Sequence, residues 1–175
     1  MFTITTDRLL LVPMTSEFLM STHNYASDRD ANQYMLNLPN NRLEETKRFI
    51  EKCESNWKHY TEENFELDFA ILINKQHIGG LSLSKDVDEP FVEIGWILSR
   101  EYWGKGFALE AAKYAINYFL KHFHITTFIA HCDSQNQASY QLMEQLGMIK
   151  QSVSDNRLNK NAKETSSEYL YKLEL

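Results

Sequence analysis

Cysteine, proline and glycine are all scarce in this chain, at two, three and six residues in 175. The two cysteines, Cys53 and Cys132, lie far apart and lack a metal-ligand spacing. They argue against a disulfide framework and make the cytoplasm the default compartment. No internal repeat, low-complexity tract or Pro/Gly-rich linker divides the sequence, so a single domain over 1–175 is expected. No run of about 18 apolar residues is present, which excludes a membrane-spanning helix. The opening Met1-Phe2-Thr3-Ile4-Thr5-Thr6-Asp7-Arg8 has no basic segment ahead of an apolar one, so a signal peptide is not expected. Basic residues are outnumbered, 18 against 24, for a net charge of −6. That balance argues against a general nucleic-acid binder, which needs a basic face. It serves solubility and mildly favours basic or amine-bearing partners. The six histidines show no ligand spacing; His122 and His124, two apart, do not share a helix face. No metal is expected.

What is present is patterned. Residues 2–12 read as an extended segment closed by Pro13. Thr15 or Ser16 is a candidate cap for a first helix to about Ala26. A second short helix is expected within 28–36, ending before Pro39. A long helix over 42–60 carries Leu43, Phe49, Ile50, Cys53 and Trp57 at roughly helical spacing. The pattern then changes: an apolar, strand-like run over 67–73, an alternating run over 78–83 and a third run over 91–98 are expected strands. In the last of these Val92, Ile94, Trp96 and Leu98 share one face, and Glu93, Gly95 and Ile97 the other. A helix over 108–123 has the stripe Leu109, Ala112, Ile116, Phe119 and Phe123. After a strand at 125–132, Asn136 is placed to cap a helix with Ala138, Leu142 and Leu146 on one stripe. Gly147 stands where a helix ends in the left-handed region. Strands at 148–153 and 168–175 close the pattern, with a mobile hairpin loop expected over 155–166. The order implies an α/β fold, a mixed sheet with helices on both faces and a right-handed crossover at its centre.

Two of the six glycines, Gly104 and Gly106, sit between that central strand and helix. A strand–glycine loop–helix unit gathers backbone N–H groups where the positive end of the helix dipole also lies. Without Cβ atoms the loop accepts φ > 0 and lets a ligand come close. The site suits a pyrophosphate. The three-glycine dinucleotide fingerprint and its later ribose-binding acid are absent, which disfavours an oxidoreductase.

The segment Glu101-Tyr102-Trp103-Gly104-Lys105-Gly106 resembles the Gln/Arg-x-x-Gly-x-Gly/Ala signature of the GCN5-related N-acetyltransferases (GNAT superfamily), with Glu101 departing from the usual Gln or Arg. Thr6-Asp7-Arg8-Leu9-Leu10-Leu11-Val12-Pro13, Glu93-Ile94-Gly95-Trp96-Ile97-Leu98, Asn136-Gln137-Ala138-Ser139 and Glu144-Gln145-Leu146-Gly147-Met148 are similar to other parts of that family, in its ribosomal-protein Nα-acetyltransferase branch. The resemblance covers nearly the whole chain. It implies acetyl-CoA as co-substrate and a primary amine, on a small molecule or a protein N-terminus, as acceptor, in a monomer or homodimer. It implies that Ile97 and Leu98 pair with the pantetheine arm. It places the pyrophosphate on Gly104, Lys105, Gly106, Phe107 and Ala108, beside Trp103. Asn136 and Ser139 are implied as further cofactor contacts.

Acetyl transfer needs a base for the acceptor ammonium, donors for the oxyanion, and optionally an acid for the thiolate. Glu93, half-buried near the pantetheine strand, is the expected base, against a structural glutamate. Ser139 is the expected acid or thiol-binding hydroxyl, against an ordinary helix serine. Many family members carry a tyrosine acid four residues later, where this chain has Met143, so a serine- or water-based version is preferred. Cys132 lacks a paired His–acid arrangement, so transfer without a covalent enzyme intermediate is expected. The missing tyrosine leaves a CoA-binding sensor without acyl transfer as the alternative. Lys105 could add charge at the phosphates, and Arg100 reads as a surface residue. Tyr25, Tyr34, Trp57 and Tyr60 read as core packing in preference to an acceptor wall.

Overall fold

The computed structural model describes residues 2–175. The N-terminal extended segment is two short strands, β1 (Ile4–Thr5) and β2 (Leu10–Pro13). The Thr6 N–H and hydroxyl bond with Leu9 and close the turn between them. Thr15 makes no side-chain cap; one 3₁₀ turn, Ser16–Phe18, leads into α1 (Leu19–Ala26). The helix expected within 28–36 does not form, and the segment is a run of turns. Side chains there compete with a helical ladder. The Asp28 carboxylate accepts from the Ala31 N–H, and Asn32 Nδ2 donates to the carbonyls of Tyr25 and Asp28, both at 2.7 Å.

The long helix α2 (Leu43–His59) buries Thr46, Ile50, Cys53 and Trp57; Leu43 and Phe49, expected on that stripe, are exposed. It is followed by β3 (Phe65–Ile73), β4 (Gln76–Lys85) and β5 (Val92–Leu98). Asn74 and Lys75, at φ 48° and 68°, make the tight β3–β4 turn. Then come α3 (Phe107–Phe123), β6 (Thr127–Asp133), α4 (Gln137–Gln145), β7 (Ile149–Arg157) and β8 (Ser166–Glu174). The eight strands form one sheet in the order β1-β2-β3-β4-β5-β6-β8-β7. β5 and β6 are parallel and every other pair is antiparallel.

Leu67, Phe69 and Ile71 of β3 share a core with Ala111, Ala112, Ala115, Ile116 and Phe119 of α3 and with Met143 of α4. Alanines at the centre of the α3 stripe bring the helix close to the sheet, and Leu109 and Phe123, expected there, are only partly buried. On α4, Met143 alone is fully buried; Ala138, Leu142 and Leu146 are not. The other sheet face carries a smaller cluster, in which Ile50 and Cys53 of α2 meet Ala70 and Met14. Helices thus cover both faces. Among the described residues no helix is long and apolar enough to cross a membrane.

What positions the site is the short pairing of β5 with β6. The two strands pair only at Val92↔Phe128 and Glu93↔Ile129, while β5 stays on β4 as far as Gly79↔Leu98. A Cβ on Gly79 would lie 2.1 Å from the Ile97 carbonyl oxygen, so only glycine lets β4 hold the far end of β5. Past Glu93 the sheet opens into a V.

Asp68 is a charge-bearing side chain in the second core. Burial pushes its carboxyl up to about 6, partly offset by the Cys53 thiol, which donates to it at 3.3 Å. A carboxyl raised above its unfolded value contributes stability that is present at low pH and lost as pH rises through about 6. Asp68→Asn cannot ionise and keeps an acceptor for Cys53. Its urea stability relative to wild type should climb between pH 4 and pH 7.5, by up to about 3 kcal/mol. An unchanging difference across that range would show that the Asp68 carboxyl ionises as readily in the folded protein as in the unfolded chain.

Candidate active site

The V opens into a cleft of about 1180 Å³ bounded by the glycine loop, β5, β6, the start of α4 and the turns over 30–37. Glu93, Ile97, Leu98, Trp103, Gly104, Gly106, Phe107, Ala108, Asn136 and Ser139 all line it. Lys105 does not. Its ammonium folds back to donate to the Glu101 carbonyl at 2.8 Å and lies 5.3 Å from the Tyr102 ring. Gly104 and Gly106 sit at φ 71° and 75°, with Gly106 as the residue before α3. This backbone leaves the first N–H groups of the helix without intrahelical partners. Trp103 Nε1 donates to the Leu98 carbonyl at 2.8 Å and ties the loop to the end of β5.

A second strap on the loop was not legible in the sequence. Arg8 Nε donates to Glu110 at 2.6 Å, one terminal nitrogen donates to the Lys105 carbonyl at 3.2 Å, and the guanidinium stacks 4.6 Å over Phe107. These partners lie about a hundred residues away, so no local pattern announces them. Arg100 is exposed, as expected, but it is paired: its Nε donates to Asp28 at 2.6 Å.

Strand alternation sorts the side chains at the V. Val92, Ile94, Phe128, Ala130 and Cys132 belong to the α3-side core. Glu93 and His131, with opposite parity, project from the other face. Asn136 caps α4 as expected, accepting from the Ser139 N–H at 3.2 Å. The Ser139 hydroxyl stands by Cys132 on the α3 side. Burial pushes the Cys132 thiol up to about 11, partly offset by Arg157 and by that hydroxyl. A thiol so placed is a poor nucleophile. His131, its neighbour in sequence, points to the opposite face and cannot activate it. Met143 is 1% exposed and fills the core at the edge of the cleft.

Glu93 is about half-buried, as expected, with 49% of its side chain exposed. It accepts a 3.0 Å hydrogen bond from His131 Nδ1. That bond and the Glu93 charge, with Glu168 adding, raise the His131 pKa against burial and Arg157. The sequence offered no carboxylate partner for any histidine because these two residues meet only across neighbouring strands.

The 30–37 turns roof the cleft and are pinned by the β7–β8 hairpin. Arg157 donates to the Tyr34 carbonyl at 3.0 Å, and the Lys160 N–H donates to the Met35 carbonyl at 3.0 Å. The strands run to Arg157 and resume at Ser166, so the expected mobile loop is shorter and tethered. Beneath it Arg157 pairs with Glu168, and Asp133 accepts from Asn159, Ser166 and the Gln135 N–H. Burial alone would raise the Asp133 carboxyl; these donors and Arg157 hold it below the usual range. Of the four aromatic residues considered as an acceptor wall, Tyr34 lines the cleft. Tyr25 and Trp57 are buried, and Trp57 and Tyr60 pack around Phe2.

The same architecture recurs in known proteins. The family model described as an acetyltransferase (GNAT) domain matches residues 8–149. The uncharacterized N-acetyltransferase YnaD of Bacillus subtilis is 30% identical over 149 residues, 83% of this chain and 81% of its own. The crystal structure of a GNAT-family acetyltransferase from Bacillus anthracis superposes with a TM-score of 0.84 at 26% identity, covering 99% of this chain and 98% of that one. RimL, a ribosomal L7/L12 alpha-N-protein acetyltransferase solved in complex with coenzyme A, shares the fold at a TM-score of 0.83 and 18% identity, covering 99% of this chain and 98% of its own. Signature loop, V-shaped sheet and family match agree, and the chain belongs to the GNAT family of N-acetyltransferases.

Proposed function

We propose that this protein moves the acetyl group of acetyl-CoA directly to a primary amine, on a protein N-terminus or a small molecule. The observation that carries the reading is the V between β5 and β6. It has the glycine loop at one end, Ser139 on one sheet face and Glu93 with His131 on the other. Coenzyme A bound to RimL, a protein of the same fold, supports the choice of co-substrate.

The chain's own groups divide the work. Gly104, Gly106, Phe107 and Ala108 line the cleft and offer backbone N–H groups to the pyrophosphate, which fixed backbone dipoles at a helix start favour without reorganisation. Ile97 and Leu98, on the stretch of β5 that β6 leaves unpaired, offer backbone groups to the pantetheine arm, with Trp103 and Asn136 at its flanks. The amine nitrogen attacks the thioester carbonyl carbon; the C–N bond forms and the C–S bond breaks. Ser139 donates a hydrogen bond to the departing thiolate. Thiols ionise near pKa 8.5, so this help is useful without being indispensable. Glu93 supplies the negative charge on the amine side. Acyl transfer through Cys132 is disfavoured by its raised pKa. With both cysteines free and buried, we assign the enzyme to the cytoplasm, acting as one domain.

Gly104→Val tests the cofactor site. No atom lies within 4 Å of a Cβ built there, so the fold cost is the positive φ alone, about 1–2 kcal/mol. Calorimetry should show acetyl-CoA affinity falling at least tenfold in the folded variant; unchanged affinity would remove the loop from the site. Ser139→Ala should lower kcat by roughly ten- to a hundredfold with little change in acetyl-CoA affinity. A wild-type kcat in thiol-release assays would leave Ser139 a helix residue only.

A further inference from the structure

On the acetyl-transfer reading, we infer that His131 is the catalytic base and that Glu93 is the residue that orients it. Glu93 is the last residue of β5 to pair with β6, opposite Ile129. His131 lies two residues further along β6, on the same face, where the strands have begun to part. Its imidazole therefore turns back toward Glu93 across the opening and not into a ladder. The Nδ1–Oε1 contact is 3.0 Å. A carboxylate can only accept, so Nδ1 carries the hydrogen and Nε2 carries the lone pair. Among the described residues Nε2 makes no hydrogen bond, and the His131 side chain lines the cleft.

The alternative, proton removal by Glu93 itself, is the weaker chemistry. An ordinary carboxylate near pKa 4.3 is a poorer match to an ammonium at neutral pH than an imidazole near 6.5. One Glu93 oxygen is also already engaged by the imidazole. The surroundings reinforce the dyad. From β8, Glu168 adds negative charge but is paired with Arg157 of β7. On β6 itself Asp133 is saturated by donors. Further along that face of β8, Lys172 is paired with Glu174. Asp30 and Tyr34 from the roof line the same cleft. Glu93 is thus the carboxylate in direct contact with the imidazole.

The proton count closes. Neutral Nε2 takes one proton from the ammonium, and the freed lone pair forms the C–N bond as the C–S bond breaks. The nitrogen then sheds a second proton. One of the two reaches the thiolate by way of Ser139 or solvent, and the other leaves the imidazolium for solvent. The sum is acetyl amide, free CoA thiol and one proton.

Two measurements on the intact enzyme test this. In the first, ¹H–¹⁵N NMR of the histidine side chains follows His131 with pH. Its neutral form should carry the proton on Nδ1, and Glu93→Gln should move its titration to lower pH. The opposite tautomer, or no movement, overturns the dyad. In the second, acetyl transfer is measured with tetrapeptides bearing free N-terminal Ser, Ala or Met and with spermidine, using the fastest acceptor. His131→Asn should lower kcat by a hundredfold or more with acetyl-CoA affinity unchanged. Glu93→Gln should lower it about tenfold and shift the acidic limb of kcat/KM downward in step with the NMR. A His131→Asn rate within threefold of wild type sinks the assignment while leaving acetyl transfer intact. Acetyl-CoA binding by wild type with no transfer to any of these amines would instead sink the acetyl-transfer reading, and this inference with it.

Discussion

Two residue pairs, Val92↔Phe128 and Glu93↔Ile129, are all that join the halves of this sheet, and the rest of the site depends on how soon that pairing stops. A longer ladder would satisfy the β5 backbone with β6 and leave nothing for a ligand. A shorter one would cost the one parallel connection among the described residues, and with it the crossover that seats α3 against the sheet. The balance is enforced from outside the pair. Gly79 lets β4 hold the end of β5, and β8 holds β6 through seven register pairs. Each strand of the V is fully committed on its outer side, so the opening is a fixed feature that does not require an induced separation.

Most of the architecture was legible in the sequence because local chemistry and tertiary packing agree there. The strand-like runs of β3 to β5 and the glycine pair ahead of α3 all stand where the pattern puts them. So do the Asn136 cap and Gly147, in the left-handed region at φ 84°. The misreadings share a cause. The 28–36 segment has helical propensity, but Asp28 and Asn32 side chains take over its backbone groups. Residues 155–166 are polar and loop-like, yet Arg157 and Asn159 are drawn inward by Asp133 and Glu168. In both places polar side chains capture partners outside the apolar pattern, three to seven residues away around Asp28 and Asn32 and 11 to 26 away around Arg157 and Asn159, and hydrophobic periodicity carries no signal for that.

The candidate site was legible to a similar degree. Gly104 and Gly106 follow from the strand–loop–helix order, and Ile97 and Leu98 from the family resemblance. Side-chain pairings do not. Glu93 was singled out without His131, because the imidazole lies 38 positions away on the adjacent strand. Arg8 was noted only as part of an opening strand, although it stacks on Phe107 and bonds across the glycine loop. Charge pairs of this kind hold geometry more than they add stability; the Arg8 and Arg100 side chains are about half exposed, and exposed pairs contribute about 1 kcal/mol or less.

Ser139 and Glu93 stand on opposite faces of one cleft, so on the proposed acetyl-transfer reading the thioester and the amine meet from different sides of the sheet. Such an arrangement favours a ternary complex assembled in either order, with free CoA competing against acetyl-CoA but not directly against the amine. The roof over 30–37 and the glycine loop come from separate stretches of chain, joined at Arg100 through Asp28 and Asp30.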